Sequence, residues 1–343
     1  MSLGIKKWFK KKPKKLSFEN VICKNCETHF SGKYCPECGQ SVKDYDQPFT
    51  FIFYNFAGDF FSFDTRFFRT FWALLIKPGF LSKEYFDGKR VKYAPPFRVF
   101  IFVSFVLFLL LQIYTNKGLN KVLDSSISEN DKISLDSVSL AITDSLISGA
   151  AAEMDLSAEQ KFDISVNQEL FKDVRNLRQL LGILSSKLED DLKVETDPGK
   201  QVELREYIRL CRSPEQAVTK ILEYMSWAFF LLLPIFALIL KLVFIRRKHN
   251  YMRHLIFSIH IHSFIFVVLI LIIGFYQIFN GNMNSISAIL MFSIPVYFII
   301  AMKKFYRQNF KKVILKFFAV SFLYNTVFWT TVVIVFLNVL SIV

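Results

Sequence analysis

Five apolar runs limit what this chain can become. They are FRVFIFVSFVLFLLLQIY (97–114), WAFFLLLPIFALILKLVFI (227–245), LIFSIHIHSFIFVVLILIIGFYQIF (255–279), ISAILMFSIPVYFIIAM (286–302) and VILKFFAVSFLYNTVFWTTVVIVFLNVL (313–340). A helix needs roughly 20 mostly apolar residues to cross a hydrocarbon core about 30 Å thick, and tilt or flanking anchors absorb the mismatches. A hydrophobic content of 52%, 40 Phe and a mean hydropathy of +0.33 lie outside the usual soluble range. The expected fold class is therefore mainly α, a polytopic membrane protein with about five transmembrane helices.

Charge sets the expected direction of threading. The amino-terminal MSLGIKKWFKKKPKK has no apolar h-region of the kind an export signal requires, and seven Lys fall between Lys6 and Lys15. Two more basic groups, Arg246, Arg247, Lys248 and Arg253, then Lys303, Lys304, Arg307, Lys311 and Lys312, fall on the same side if five spans alternate. All three obey the positive-inside rule for a cytoplasmic amino terminus and an extracytoplasmic carboxyl terminus. Residues 115–223 then lie outside, and there 14 Lys and Arg face 20 Asp and Glu in a chain whose total is +14. The lysines suit anionic lipids of the inner leaflet, each contributing about 1 kcal/mol near the surface. No nucleic-acid partner is expected, since no recognisable nucleic-acid fold surrounds them.

Four of the five Cys fall in CKNCETHFSGKYCPEC, as Cys23-x2-Cys26-x8-Cys35-x2-Cys38. Each C-x2-C turn brings two thiolates to one ion, and the link between turns suits a hairpin that completes a tetrahedral shell. The expected cofactor is structural zinc, because four Cys leave no position open for water. A disulfide framework is the alternative, disfavoured on a reducing side of the membrane. Iron is a second alternative, since tetrahedral sulfur sites also accept it. A module this short needs its metal to fold. Cys211 is left as a lone thiol.

Between the ribbon and the first span, Phe60, Phe63, Phe67, Phe71, Leu74 and Leu75 share one side of a helical wheel, and Arg66, Arg69 and Ala73 the other. This reads as an amphipathic helix lying in the interface, capped by Asp64 and ended by the Lys77-Pro78-Gly79 breaker. Lys89, Arg90, Lys92 and Arg98 follow, beside Tyr93 and Pro95-Pro96; they are ordinary anchors or contacts to a head group or phosphate. The resulting organisation is a basic tail (1–19), zinc ribbon (20–45), interfacial segment (46–96), first span (97–114), an extracytoplasmic helical and flexible insertion (115–225) and a four-helix membrane region (226–343).

The stretches DTRFFRTFWALLIKPG, GKRVKYAPPFRVFIFVS, ALILKLVF and YMRHLIFSIHIHSF, after a four-Cys ribbon, resemble a family of uncharacterised bacterial inner-membrane proteins of the Bacteroidetes type, catalogued as a domain of unknown function. The resemblance implies a bacterial inner membrane and supplies no reaction.

In the insertion, residues up to about 169 are rich in Ser, Asp and small residues, which suits weak helices and flexible links. Leu170, Val174, Leu177, Leu181 and Leu184 then repeat at helical spacing. Ser213 and Pro214 open a helix expected to run unbroken into the second span, and Pro234 and Pro295 are positioned to kink the second and fourth.

The third span carries His254, His260 and His262. On a straight helix His254 and His262 are about 80° apart and roughly 12 Å along the axis, while His260 and His262 are about 200° apart, so no two can share an ion. With Asn325 they define a possible intramembrane polar site, set against neutral imidazoles bonded to neighbouring helices. Two function classes remain. One is a non-enzymatic scaffold or assembly factor with protein partners, and the other is a transporter or lipid-handling protein with a polar site around His260 and His262. An enzyme is less expected, since no nucleophile–base pair is visible.

Overall fold

The computed structural model describes residues 20–42, 65–125, 175–247, 249–279 and 284–342. The basic tail, Asp64, Phe60, Phe63, Leu170, Val174 and the Ser-rich part of the insertion lie outside them. The described residues form a two-stranded ribbon and nine helices, five of them long and apolar enough to cross a membrane. The mainly α, polytopic fold class holds.

In the ribbon, β1 (Val21–Ile22) pairs antiparallel with β2 (His29–Phe30), Val21 opposite Phe30. The two C-x2-C turns close identically. Cys23 N donates to Thr28 O and Glu27 N to Cys23 O, each at 2.9 Å; Cys35 N donates to Gln40 O at 3.0 Å and Gly39 N to Cys35 O at 2.9 Å. Phe30, Val42, Cys23 and Cys35 form the small core.

The helices are α1 (Thr65–Ile76), α2 (Phe80–Phe86), α3 (Pro96–Asp124), α4 (Leu177–Val194), α5 (Pro198–Arg212), α6 (Pro214–Val243), α7 (Tyr251–Ile278), α8 (Asn284–Tyr306) and α9 (Phe310–Ile342). The five candidate spans lie in α3, α6, α7, α8 and α9. As expected, α6 starts at Pro214 and runs unbroken through the second apolar run, with Pro234 inside it; Pro295 lies inside α8.

The chain divides into two compact units, residues 1–106 with 232–324, and 107–231 with 325–343. The second unit holds the α4–α5 hairpin, with Asn176 capping α4 through Gln179 N and Asp197 capping α5 through Gly199 N. Arg178 at the start of α4 reaches Asp124 at the end of α3 (2.8 Å) and Glu215 in the first turn of α6 (3.0 Å), and also donates to Asn120. Arg212 pairs with Glu189 across the hairpin. The lone Cys211 is a free thiol, its pKa raised by burial.

The first unit centres on α7. Every residue from His254 to Phe264 along it is buried, the signature of a helix surrounded by others and apolar on all sides. Against α7 and α8 lies the pair α1–α2. At the turn between them Gly79 has φ +69°, and a Cβ there would stand 2.8 Å from the Ala301 carbonyl oxygen of α8. Only glycine permits that backbone sign and that approach. One turn earlier, Tyr297 Oη of α8 donates to Leu74 O at 2.6 Å, satisfying a carbonyl at the end of α1 that has no helical partner.

These contacts revise the expected wheel of α1. Its buried residues are Phe67, Thr70, Ala73 and Leu74, so Ala73, expected on the polar side, faces protein. Phe68, Trp72 and Ile76, at i, i+4 and i+8, form an exposed apolar line instead. The helix is apolar on two sides because one packs on the spans and the other remains outward. A wheel assuming one buried face cannot separate them.

Candidate functional site

The described chemistry-bearing residues of the first unit gather in three places: the four sulfurs, a notch where α2 and its following loop meet α7, and the bonds made by the histidines.

The four Sγ atoms all lie within 4.8 Å of one another. Cys23–Cys38 and Cys26–Cys35 each approach to 3.5 Å. A tetrahedron with about 2.3 Å metal–sulfur bonds has edges of about 3.8 Å, so the donor set fits one ion of zinc type. The thiols are unequal. Hydrogen bonds from the Thr28 side chain and backbone bring Cys26 down to about 6, whereas burial pushes Cys38 up to about 12 and raises Cys23. A thiol held low in this way is the readier to bind as thiolate, and an ion at this site would displace the protons of the others.

The ribbon is fastened to the loop that follows α2. Buried Gln40, two residues past Cys38, donates from Nε2 to Gly88 O at 2.7 Å, and Lys92 N donates to Asn25 Oδ1, inside the first C-x2-C turn, at 3.1 Å. Gly88 has φ +100°, and a Cβ would stand 2.7 Å from the Lys24 side chain. Both knuckles of the ribbon therefore touch residues 88–92.

Of the four expected head-group residues, Lys89 and Arg90 line one notch together with Tyr85, Tyr93, Pro96 and His260. Arg90 lies over the Tyr85 ring at 4.8 Å. Lys89 pairs with the buried carboxylate of Glu84 at 3.0 Å, and that hydrogen bond raises the Lys89 pKa. Lys92 is exposed, its ammonium 5.9 Å from the Tyr93 ring. Arg98 is buried in the first turn of α3 and is not among the lining residues.

The three histidines do not converge. His254 Nδ1 is 2.8 Å from Tyr306 Oη on α8, His260 Nδ1 is 2.9 Å from Ser82 Oγ on α2, and His262 Nε2 is 2.7 Å from Tyr324 Oη on α9. His262 Nδ1 also lies 2.9 Å from Ser258 O. A carbonyl only accepts, so Nδ1 carries the proton and Nε2 accepts from the tyrosine hydroxyl. Asn325 is exposed on α9, and it is the residue before it, Tyr324, that reaches His262.

Ser82, Tyr297, Tyr306, Tyr324, Asn25 and Gln40 were not singled out from sequence. For the tyrosines the signal was present: a phenol in an apolar run must find a partner for its hydroxyl. For Asn25 and Gln40 none was, because their partners are backbone groups of a distant loop.

Residues 64–108 match the model of a family described as a protein of unknown function, DUF3667. The matched stretch contains α1, α2, the notch-lining loop and the start of α3. No curated protein and no solved structure matches the chain.

Proposed function

We propose that this protein is a non-enzymatic scaffold or assembly factor of a bacterial cytoplasmic membrane, with a cytoplasmic zinc ribbon that clamps residues 88–92 just before the chain enters its first span. The carrying observation is the pair of contacts from the two C-x2-C turns to one loop, Gln40 to Gly88 and Asn25 to Lys92. Only a ribbon held in shape by its metal presents both at once. The amino terminus is cytoplasmic and the carboxyl terminus extracytoplasmic, from the distribution of Lys and Arg. The basic residues lie at anionic lipid, and the exposed Phe68, Trp72 and Ile76 line faces acyl chains or a partner helix.

The histidine contacts support scaffold over transporter. Each imidazole is bonded to a different element, so no shared polar site forms from His254, His260 and His262. Two measurements test the reading. Crosslinking in membranes followed by purification is expected to recover a stable complex, and removing the metal is expected to dissolve it. Substrate or ion flux in liposomes that vanishes in His260→Phe or His262→Phe, with folding retained, replaces the scaffold with a transporter.

A further inference from the structure

Four further cations of the first unit converge apart from the ribbon and the notch. The Lys316 ammonium on α9 lies within electrostatic reach of Arg246 and Arg247, just past α6, and of Lys312, one turn back on α9. No acid offsets them nearby in the chain, since residues 224–343 hold eleven Lys and Arg and neither Asp nor Glu. Among the described residues no ion pair reaches any of the four.

The packing beneath them fixes two of the four. Phe244, fully buried just after α6, stacks on Tyr306 of α8 at 3.7 Å, and Lys316 Nζ stands 4.1 Å from the centre of the Phe244 ring. Three residues on, Arg247 Nη2 donates to Arg307 O, in the turn between α8 and α9, at 3.3 Å. One ammonium and one guanidinium are thereby held at the same junction. Arg246, Arg247 and Lys312 are exposed there and Lys316 is half-buried.

Left alone, this arrangement is unfavourable. Lys312 and Lys316 stand at i, i+4 as a like-charged pair, and Lys311 and Lys312 occupy the first turn of α9, where the helix dipole disfavours cations. The positive-inside rule asks for cations on one side of the bilayer, not for their convergence from two helices. An anion among them relieves the repulsion.

Depth identifies that anion. Lys316 is the last charged residue of the chain, and residues 317–342 of α9 span about 39 Å, enough to cross a core of about 30 Å with some tilt. The hydrocarbon therefore begins just beyond Lys316, which puts the cluster at the level of phospholipid phosphates. Leu242, Ile245, Leu315 and Phe318, close by in sequence, are exposed and apolar, as the acyl chains of the same molecule require.

We infer that Arg246, Arg247, Lys312 and Lys316 form a binding site for the phosphate of an anionic phospholipid, at the cytoplasmic ends of the second and fifth spans. The inference deepens the reading that the basic residues lie at anionic lipid, and rests on it for the side of the membrane alone. Lipid binding is read on the isolated chain, so loss of the scaffold reading leaves it standing, and its own failure leaves the ribbon clamp standing.

The metal-loaded full chain in neutral detergent micelles is titrated with phosphatidylglycerol and, separately, with phosphatidylcholine, and bound lipid is counted by native mass spectrometry. Phosphatidylglycerol is expected to saturate, to bind more tightly than phosphatidylcholine and to resist displacement by millimolar inorganic phosphate. Arg246→Gln, Arg247→Gln and Lys316→Gln are each expected to weaken it about 5-fold, the contribution of one Lys or Arg at an anionic surface. Lys304→Gln removes an equal charge from the end of α8, outside the cations that bear on Lys316, and is expected to leave binding unchanged. Arg246→Gln disturbs no described side-chain hydrogen bond or ring contact, so it reports on the site even where Lys316→Gln fails to fold. The inference is overturned by equal affinity for the two lipids, by displacement with phosphate, or by an equal loss in Lys304→Gln. It is equally overturned by parental affinity in Arg246→Gln or Lys316→Gln at the parental melting temperature.

Discussion

Gly79→Ala is the sharpest probe of how α1 and α2 are fixed to the spans. Gly79 has φ +69°, and a non-glycine residue held there costs about 1–2 kcal/mol. The new methyl would also stand 2.8 Å from Ala301 O and 3.0 Å from its Cα. Both are backbone atoms of a membrane helix, so no flexible side chain can give way, and forced overpacking of this kind costs about 1–3 kcal/mol. The total is about 2–5 kcal/mol. At about 2–4 °C per kcal/mol for a large domain, the apparent melting temperature in detergent should fall by roughly 4–20 °C. Gly182→Ala is the matched control, because that glycine is inside α4 with nothing within 4 Å of a new Cβ; it should be neutral or stabilising by up to about 1 kcal/mol. A Gly79→Ala protein that melts within a degree or so of the parent refutes the close approach of the turn to α8.

Three further outcomes are expected. Purified protein should carry one zinc per chain by elemental analysis, Cys26→Ser or Cys38→Ser should lose it, and chelation should expose Lys89 and Arg90 to trypsin as the ribbon releases residues 88–92. Tyr324→Phe should destabilise by about 0.6 kcal/mol and at most about 1.7, the range for hydrogen bonds between membrane helices. His249 accepts from Arg253 at Nδ1, and burial together with Arg253 and Arg247 lowers its pKa below the ordinary 6.5. The neutral form is thus favoured on folding: stability is full above about 6.5 and declines as pH falls toward the lower folded value. Thermal melts from pH 7 to 5 should show this decline, and His249→Gln should flatten it.

The elements legible in the sequence were those set by local pattern. Apolar run length gave the five spans, C-x2-C spacing gave the cluster of four sulfurs, and Pro214 gave the start of α6. The faces of α1 were not legible, because Phe67 and Phe68 are the same residue type with opposite surroundings, one buried and one exposed. The docking of the ribbon was hidden for a related reason. Its donors are a side-chain amide and a backbone N–H whose partners are more than 45 positions away, and nothing local marks such a pair. Arg98 looked equivalent to Lys89 and Arg90 but lies past the Pro95-Pro96 breaker, inside the first helical turn, where the helix turns it inward.

The histidines show what polar residues contribute to a helix such as α7. Apolar side chains do not discriminate strongly between a neighbouring helix and lipid, so burial alone leaves the rotation of a span weakly specified. A hydrogen bond across helices does specify it, since an unmet imidazole in hydrocarbon is costly. Rotation of 100° per residue places His260 about 240° and His262 about 80° from His254. These are three separated directions, and each is met by a different element: α8 through Tyr306, α2 through Ser82 and α9 through Tyr324. Turning α7 by a third of a revolution would break all three together. The spacing that forbids a shared metal ion is the spacing that lets one helix set the positions of three neighbours. Because one of them is α2, the same arrangement fixes the wall of the Lys89–Arg90 notch from the membrane side, while the ribbon holds the loop of that notch through Gly88 and Lys92. Loss of either support should therefore loosen the notch. His260→Phe and metal removal are each expected to raise the amide hydrogen exchange of residues 88–92, and unchanged exchange after both would separate the notch from the histidine and from the ribbon alike.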